Sequence, residues 1–494
     1  MRTLRYKINS SIMTTLVKHI SRFFICGILL MPAVAFGQAL SLDSCRAMAL
    51  RNNKNIQISR ERLKAAEYKK KEAFAAYLPA IDVTASYLYN QKEISLLSED
   101  QKLPTQTFNP ATGKFEYNIL KKPDGTPVLT PEGSPIPTQV AVIPKSALTY
   151  DVHNVFAGAV TLTQPIFMGG KIVAMNKMAD LAYSAAENLL DNNEKEVIYA
   201  VDAAYWQVVS LSEKKKLADS YIQLLDTLNR NVRALMAEGM ATRSDLLTVE
   251  VKQNEAEIDL SKVDNGIQLS RMALAQVCGM PLNSEYTLAD ECEDINADDV
   301  PMATFNIEDV YKNRTDVRSL QIAVDIFEQK QRVVRAEMMP SVALVGAYSL
   351  TNPNVFNGFD KSFKGMFSVG AMVKIPIWHW GGKYNKLRSA KSETAIKQLE
   401  LAEAMEKVEL QVNQAAFKAR ESVKTLRTAT SSLDKAEENL RHAQIGYREG
   451  VMTVNNIMEA QTAWLKANSE HIDAMIDVKL CNLYLSKVKG IIAY

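Results

Sequence analysis

The feature that most constrains the fold is a stretch of 68 residues, Lys171 to Glu238, that contains neither glycine nor proline. It begins directly after Gly169-Gly170 and ends at Gly239. A continuous helix of this length measures about 100 Å at about 1.5 Å per residue. Helices in globular proteins are nearer to about 11–12 residues. We therefore predict a helix that spans a distance rather than one packed into a compact core.

Apolar residues in the second half of this stretch recur at alternating spacings of four and three, a heptad repeat that Lys215 and Asn229 interrupt. The repeat consists of Val201, Ala204, Val208, Leu211, Ala218, Ile222, Leu225, Val232 and Met236. A heptad repeat predicts coiled-coil packing against neighbouring helices. Small residues on the helix, such as Ala182, Ala185, Ala204 and Ala218, favour a close approach of those neighbours.

A second stretch, Lys383 to Glu449, has almost the same length and the same punctuation. It follows Gly381-Gly382, ends at Gly450, and contains only Gly446 and no proline. Its flanking residues repeat those of the first stretch at a constant offset, since Pro165 to Pro376 and Gly239 to Gly450 are each 211 positions apart. The offset indicates an internal duplication, which divides the chain into a first repeat at 38–302 and a second at 303–494.

Each repeat is predicted to consist of a helix, two strands, the long helix (171–238 or 383–449) and a shorter return helix. Alternating side chains predict strands at about 79–90, 153–167, 341–351 and 366–377. The preceding helices are predicted at 42–77 and 306–339 and the return helices at 244–277 and 455–489, with Ser244 and Asp245 as caps. Residues 91–152 hold eight of the sixteen prolines and are predicted to be a long irregular loop.

The N-terminus predicts secretion. Basic residues precede a short apolar run, Phe23 to Phe36, and Ala35-Phe36-Gly37 supplies a cleavage signal. The run has about 14 residues, fewer than the roughly 20 that cross a bilayer, so we interpret 1–37 as a signal peptide rather than a membrane anchor.

Composition argues against several other functions. A net charge of +2 provides no basic surface for nucleic acid. The five histidines are scattered, and the cysteines fit no zinc spacing. A disulfide between Cys278 and Cys292 and buried thiols both remain open. No catalytic set of side chains is placed by the sequence, so we expect no enzyme, no cofactor and no metal site.

The strands have the length and alternation of tilted membrane-spanning strands. An open four-stranded sheet leaves two edges of unpaired backbone groups, which hydrocarbon does not tolerate. Closed membrane barrels begin at about eight strands, so several chains must share one barrel. The alternative is a soluble hairpin domain on a coiled-coil stalk.

Taken together, these features resemble the TolC-like outer membrane efflux proteins over nearly the whole mature chain. The matching segments are Gln164-Pro165-Ile166-Phe167 with Gly169-Gly170, Ile375-Pro376-Ile377 with Gly381-Gly382, Glu238-Gly239 with Ser244 to Leu247, and Tyr447 to Gly450 with Ile457 to Gln461. Their order and spacing, rather than any single motif, carry the resemblance.

The resemblance implies an α+β membrane protein in which long antiparallel helical hairpins form a trimeric α-barrel tunnel, joined to a shared transmembrane β-barrel with four strands from each chain. It implies an outer-membrane location in a Gram-negative-type cell, surrounded by outer-membrane lipid, with a large periplasmic portion. The implied function is a passive exit duct of a tripartite efflux or type I secretion system. The implied partners are two other copies, a periplasmic adaptor protein and an inner-membrane transporter, because the sequence has no phosphate-binding G-x-x-x-x-G-K-[ST] motif.

The resemblance also implies that the turns at Gly239 and Gly450 form the periplasmic opening and its gate. The gate residues carried over are Gly239, Ser244, Asp245, Tyr447, Gly450, Asn456 and Glu459, with Glu459 forming an anionic ring in the pore. The strand-to-helix turns are Pro165, Gly169, Gly170, Pro376, Gly381 and Gly382. Two positions depart from the family pattern, since Met452 replaces a gate-holding arginine and Asn456 a second acidic residue. The gate would then be latched more weakly, or by other contacts such as Arg448 or Arg243. The alternative is that simple helix capping and solvation account for these residues.

A structural coiled-coil stalk or surface adhesin is the alternative function, with 91–152 as its binding element. Conductance in a bilayer separates the two, because a stalk forms no channel.

Overall fold

The computed structural model describes residues 39–292, 305–354, 356 and 359–492. The predicted signal peptide at 1–37 lies outside these residues. The helices are α1 (Leu42–Asn52), α2 (Lys54–Ala75), α3 (Lys171–Ala237), α4 (Arg243–Cys278), α5 (Ile307–Asn313), α6 (Thr315–Ala336), α7 (Gly382–Arg448) and α8 (Val454–Val488). The strands are β1 (Ala80–Tyr89), β2 (Ile94–Ser95), β3 (Gln101–Pro104), β4 (Gln106–Asn109), β5 (Lys114–Tyr117), β6 (Val140–Ile143), β7 (Thr149–Tyr150), β8 (Asn154–Phe167), β9 (Ser341–Asn352) and β10 (Lys364–Lys374).

The chain forms two compact units. The helical unit comprises residues 1–63, 186–320 and 400–494, and the sheet unit comprises 64–185 and 321–399. Each unit therefore contains residues of both sequence repeats, so the repeats do not correspond to separate compact domains. The helices α3 and α7 each contribute residues to both units.

Both long helices are continuous over 67 residues. The heptad repeat of α3 marks its packed side in part: Val201, Val208, Leu225 and Val232 are fully buried, whereas Met236 is exposed. No helix among the described residues is both long enough and apolar enough to cross a membrane.

The sheet unit is built on an antiparallel four-stranded sheet with the order β1-β8-β9-β10. β1 pairs with β8 from Ala80↔Thr163 to Tyr89↔Asn154, and β10 pairs with β9 over the full length of β10. The central pair, β8 and β9, has an irregularity between Pro165 and Phe167. The second strand was predicted at about 153–167 and ends at Phe167, and Pro165 within it still pairs with Ala343.

Residues 91–152 are not the irregular loop that the sequence predicted. They contain β2 to β7. Beyond the β1–β8 pair, these strands form the antiparallel pairs β2–β7, β3–β6 and β4–β5. Three of the prolines lie in tight turns that end in glycines with positive φ, namely Gly113, Gly125 and Gly133. Proline presets the backbone of the first turn residue, and glycine adopts the left-handed conformation that the last one requires. The proline-rich composition that predicted an irregular loop is therefore that of hairpin turns.

Two predicted single helices are each divided in two. Asn53 separates α1 from α2 with φ −61° and ψ 131°, and Arg314 separates α5 from α6 with φ −76° and ψ 111°. The Asn53 side chain stabilises the break, because its Nδ2 donates to the Val277 carbonyl at 2.8 Å and its Oδ1 accepts from the Asn55 amide at 2.9 Å. The bond to Val277 joins residues 224 positions apart, so the local periodicity of the sequence does not reveal it.

The N-terminal segment is attached to the helical unit by backbone and side-chain bonds. The Leu40 amide donates to the Thr287 carbonyl at 2.9 Å, and the Ala289 amide donates to the Leu40 carbonyl at 3.0 Å. Arg46 Nε donates to Asp202 Oδ1 at 2.7 Å, and the Asp202 side chain is only 2% exposed. The largest apolar cluster of the unit lies beneath these contacts and contains Cys45, Ala49, Ile56, Val197, Val201, Tyr205, Val208, Val209, Leu274, Cys278 and Leu288.

Candidate functional site

Each long helix ends in a glycine turn of the same design. Gly239 and Gly450 follow α3 and α7 with φ of 76° and 72°. The amide after each glycine reaches back across the last helical turn at 2.8 Å, from Met240 to the Leu235 carbonyl and from Val451 to the Gly446 carbonyl. This left-handed C-terminal motif satisfies carbonyls that a helix end would otherwise leave unpaired. We call residues 238–242 and 449–453 the two tip turns.

Each tip turn then begins its return helix with a capping box. Thr242 Oγ1 accepts from the Asp245 amide at 3.2 Å, and Asp245 Oδ2 accepts from the Thr242 amide at 3.0 Å. In the second turn, Thr453 Oγ1 accepts from the Asn456 amide at 3.4 Å, and Asn456 Oδ1 accepts from the Thr453 amide at 3.1 Å. The two boxes are related by the 211-residue offset, and they differ in that one has a carboxylate and the other an amide.

This geometry corrects the predicted cap. The N-cap of α4 is Thr242, whereas Asp245 is its reciprocal partner three residues later. Ser244 lies inside α4 and is exposed, and its carbonyl accepts from the Thr248 hydroxyl at 2.8 Å. Thr242 and Thr453 were not predicted as caps, although the sequence contains the capping pattern T-x-x-D at the first position and its amide counterpart T-x-x-N at the second.

An apolar cluster joins the two hairpins next to the tip turns. Its buried residues are Leu228, Val232, Val249, Val454, Ile457 and Met458, with Ala241, Leu246 and Tyr447 packed against them. The cluster includes side chains from α3, α4, α7 and α8, so all four helices meet there. A change in the position of one hairpin would therefore disturb the packing of the other.

Tyr447 is the polar residue of this cluster. Its hydroxyl is buried and has no hydrogen-bond partner among the described residues. Burial and, secondarily, the negative charge of Asp245 raise the pKa of Tyr447. The Asp245 carboxylate bonds to Thr242 instead, and those hydrogen bonds lower the pKa of Asp245. The structure thus brings Tyr447 and Asp245 near each other without a bond between them.

The other residues predicted to belong to the gate lie on the surface. Glu459 is exposed on α8, whereas its sequence neighbours Met458 and Ala460 are buried. Arg448 and Arg243 are exposed and, within the described ranges, form no ion pair with Asp245 or Glu459.

Met452 packs against Gly446. A Cβ on Gly446 would lie 2.9 Å from the Met452 Cγ. The glycine inside the second long helix therefore makes room for the side chain that departs from the family pattern.

The strand-to-helix turns contain the glycines that the sequence singled out. Gly169, Gly170 and Gly381 have φ of 62°, 84° and 74°, whereas Gly382 is the first residue of α7. Gly169 has a second constraint, because a Cβ there would lie 2.6 Å from the Met339 Cβ. Pro376 lies after the end of β10, between the strand and α7.

Two tryptophans near the second strand-to-helix turn were not singled out. Trp378 and Trp380 are 71% and 89% exposed, with their ring centroids 6.0 Å apart. Tryptophan is enriched where a membrane protein meets the polar interface of the bilayer. The position of these two residues just beyond a strand end was therefore a signal in the sequence for the membrane interface.

One group of acidic and histidine side chains lies close together near the start of β8. Glu93, Asp151 and His153 place one ligand atom each within 4.8 Å of one another. The Lys361 ammonium already pairs with Asp151 at 2.7 Å, and this contact, the strongest of several, lowers the pKa of Asp151. The Lys361 ammonium thus balances one of the two carboxylate charges of the group.

The family model for "Outer membrane efflux protein" matches residues 139–280 and 306–488. Nodulation protein T of Rhizobium leguminosarum bv. trifolii is 22% identical over 268 residues, which cover 53% of this chain and 55% of that protein. The chain thus matches about half the length of that relative. Outer membrane efflux protein BepC of Brucella suis biovar 1 is 21% identical over 335 residues, covering 67% of this chain and 71% of that protein.

The fold is similar to that of the Campylobacter jejuni CmeC outer membrane channel, with a TM-score of 0.70, 16% identity, and coverage of 91% of this chain and 85% of that one. The predicted fold class, with long helical hairpins joined to a four-stranded contribution to a barrel, is confirmed. The family match covers parts of both predicted repeats. This chain belongs to the outer membrane efflux protein family.

Proposed function

We propose that three copies of this chain form a passive outer-membrane exit duct, with a closed barrel of twelve strands and a tunnel of helices below it. The proposal rests on the exposure of β1 and β10, the two edge strands of the sheet. β1 and β10 are exposed at every residue, ten in one strand and eleven in the other. Both are long, regular and apolar on the face that includes Val83 and Val369.

Such edges are unstable alone in a bilayer. Each unpaired backbone group in hydrocarbon costs several kcal/mol (about 2–7), and β1 and β10 expose a row of them. Pairing β1 of one copy with β10 of the next removes both edges when the ring closes. Three copies give twelve strands, an even number within the range of closed membrane barrels of about 8 to 26 strands.

The helical unit also exposes apolar surface that neighbouring copies could cover. Leu247, Val251 and Ile258 form an exposed apolar stripe on α4, and Leu410 and Phe417 form another on α7. Both contain a seven-residue step, which is the spacing of a coiled-coil seam. Neighbouring copies that cover these stripes would complete the wall of a tunnel.

The tip turns are the proposed periplasmic opening. Gly239, Ser244, Asp245, Tyr447, Gly450, Asn456 and Glu459 are the proposed gate residues, with three copies of the exposed Glu459 forming an anionic ring. Exposed polar contacts are each worth at most about 1 kcal/mol, so the binding of a periplasmic adaptor protein would suffice to open the turns. An inner-membrane transporter would supply the energy, because the duct itself lacks a nucleotide-binding motif.

Cross-linking tests the assembly. Val83→Cys in β1 and Val369→Cys in β10 place thiols at the middle of the two edge strands, at positions that are both 74% exposed. A bifunctional maleimide applied to membranes carrying the double variant should give covalent trimers, whereas either single variant should give dimers at most. Products limited to dimers in the double variant, or open ladders beyond three chains, would refute the closed trimer.

Conductance tests the duct. The purified protein in a planar bilayer should show a small, cation-selective conductance. Glu459→Ala should reduce that selectivity. The control Glu257→Ala removes an equally exposed glutamate from α4, away from the tip turns, and should leave the selectivity unchanged. Equal effects of the two variants would refute the acidic ring, and no current from covalent trimers whose tip turns have been removed would refute the duct.

A further inference from the structure

Two cysteines that are 233 positions apart in the sequence lie side by side in the core of the helical unit. Cys45 is on α1 and Cys278 is the last residue of α4, and both are fully buried. Cys278 Sγ lies 3.6 Å from the Cys45 carbonyl oxygen. Both thiols are free in this structure. The neighbouring Cys278 side chain lowers the pKa of Cys45, whereas the Cys45 side chain and burial raise the pKa of Cys278.

Residues next to the two cysteines also hold the end of α4 against the segment between α1 and α2. Asn53 Nδ2 donates to the Val277 carbonyl at 2.8 Å. Gly279 approaches α1 so closely that a Cβ there would lie 2.7 Å from the Asn52 Cβ. Helix α1 and the end of α4 are therefore fixed against each other immediately beside the thiols, and the sulfurs are not brought together by flexible side chains alone.

The cellular compartment favours oxidation of this pair. The chain belongs to a family of outer-membrane proteins with a large periplasmic portion, and thiols that meet in the bacterial periplasm are oxidised there. We propose that Cys45 and Cys278 become joined by a disulfide during maturation, which fastens the N-terminal helix to the end of the first return helix. The bond would close a loop that contains the first two barrel strands and the first long helix.

The oxidation is a thiol–disulfide exchange with a periplasmic protein disulfide donor. The Cys45 thiolate attacks one sulfur of the donor disulfide, forming a mixed disulfide and releasing the donor's other sulfur as a thiolate. The Cys278 thiolate then attacks Cys45 Sγ and expels the donor. Two electrons pass to the donor, which leaves as a dithiol after taking up the two protons. Because both sulfurs are fully buried in the folded chain, the exchange precedes the packing of α1.

Cys481 provides an internal control. It is a buried thiol on α8, and it does not belong to the apolar cluster that contains Cys45 and Cys278. The alternative pairing of Cys278 with Cys292 was open from the sequence, and the side chain of Cys292 lies outside the described residues.

Differential labelling of the full-length protein tests the proposal without any variant. Outer membranes are prepared without reductant and dissolved in denaturant with N-ethylmaleimide, then reduced and treated with an isotopically heavy maleimide before peptide mass spectrometry. Cys45 and Cys278 should carry the heavy label and Cys481 the light one. An unreduced digest should contain the linked Cys45–Cys278 peptide as the major form of both cysteines.

Each other outcome overturns the proposal. Light label on the majority of Cys45 and Cys278 shows that the pair remains reduced, and a linked peptide between Cys278 and Cys292 shows a different bond. As a second readout, the unreduced wild-type chain should migrate faster than the reduced chain in a denaturing gel, because a loop is closed. Cys45→Ser should abolish that difference in mobility and Cys481→Ser should preserve it, whether or not the variants fold.

Discussion

The two tip turns offer a matched pair for a quantitative prediction, because they share one capping design and differ in one chemical group. Asp245 completes the box of α4 and Asn456 completes that of α8. Removing a threonine N-cap costs about 1 kcal/mol, within a range of about 0.5–2 kcal/mol. That cost corresponds to about a fivefold increase in the population of the opened first turn, since about 1.4 kcal/mol is a factor of ten.

The perturbation is Thr242→Ala or Thr453→Ala, with Thr→Ser at each position as the control that retains the hydroxyl. Amide hydrogen exchange followed by mass spectrometry should show about fivefold faster exchange in the first turn of the affected helix. The middle of the same helix should be unchanged, because capping acts on the first turn. If the alanine variants exchange like the serine variants, the capping argument is wrong.

Acidification should then distinguish the two turns. Hydrogen bonds from Thr242 lower the pKa of Asp245 below its ordinary value of 3.8. A carboxylate whose pKa is lower when folded stabilises the fold above its ordinary pKa, and this stabilisation is lost as the pH falls through the lowered value. The protection factors at the start of α4 should therefore fall in that acidic window, while those at the start of α8 should not, because Asn456 does not titrate. Asp245→Asn should remove the pH dependence and Asn456→Asp should create it, and a response shared by both turns would refute the reasoning.

Three further predictions concern other parts of the chain. Arg46→Ala leaves the buried Asp202 carboxylate unpaired and should lower the stability of the helical unit by about 3–5 kcal/mol, measured by denaturant unfolding against Arg46→Lys, which retains a cation and should lose less. Gly169→Ala should reduce assembly into the membrane far more than Gly170→Ala, because both have positive φ but only the first meets a neighbouring side chain; equal losses, measured as heat-modifiable protein in outer membranes, would contradict the packing argument. Gly450→Pro cannot adopt the φ of 72° found there and should abolish export while the barrel still inserts, whereas Gly450→Asn, which accepts a left-handed backbone, should retain export.

The sequence by itself determined the elements with strong periodicity and clear punctuation. The long helices differ from their predicted ends by one residue, because glycine turns with positive φ stop a helix wherever they occur. Three of the four barrel strands were placed within one residue at each end. The fourth begins two residues and ends three residues earlier than predicted, so Ile375-Pro376-Ile377 lie outside it. Local chemistry controls these features, so a local pattern is enough to find them.

Tertiary structure decided what depends on residues far apart in the chain. The break at Asn53 is stabilised by the Val277 carbonyl, and the ladder within 91–152 depends on pairing between segments about 40 residues apart, such as Gln101 with Ile143. The proximity of Cys45 to Cys278, and the burial of Asp202 beneath Arg46, likewise arise from packing over long separations. The periodicity and residue spacing of the sequence do not reveal such contacts. They depend on the free energy of the whole packed core and not on the conformation of any one segment.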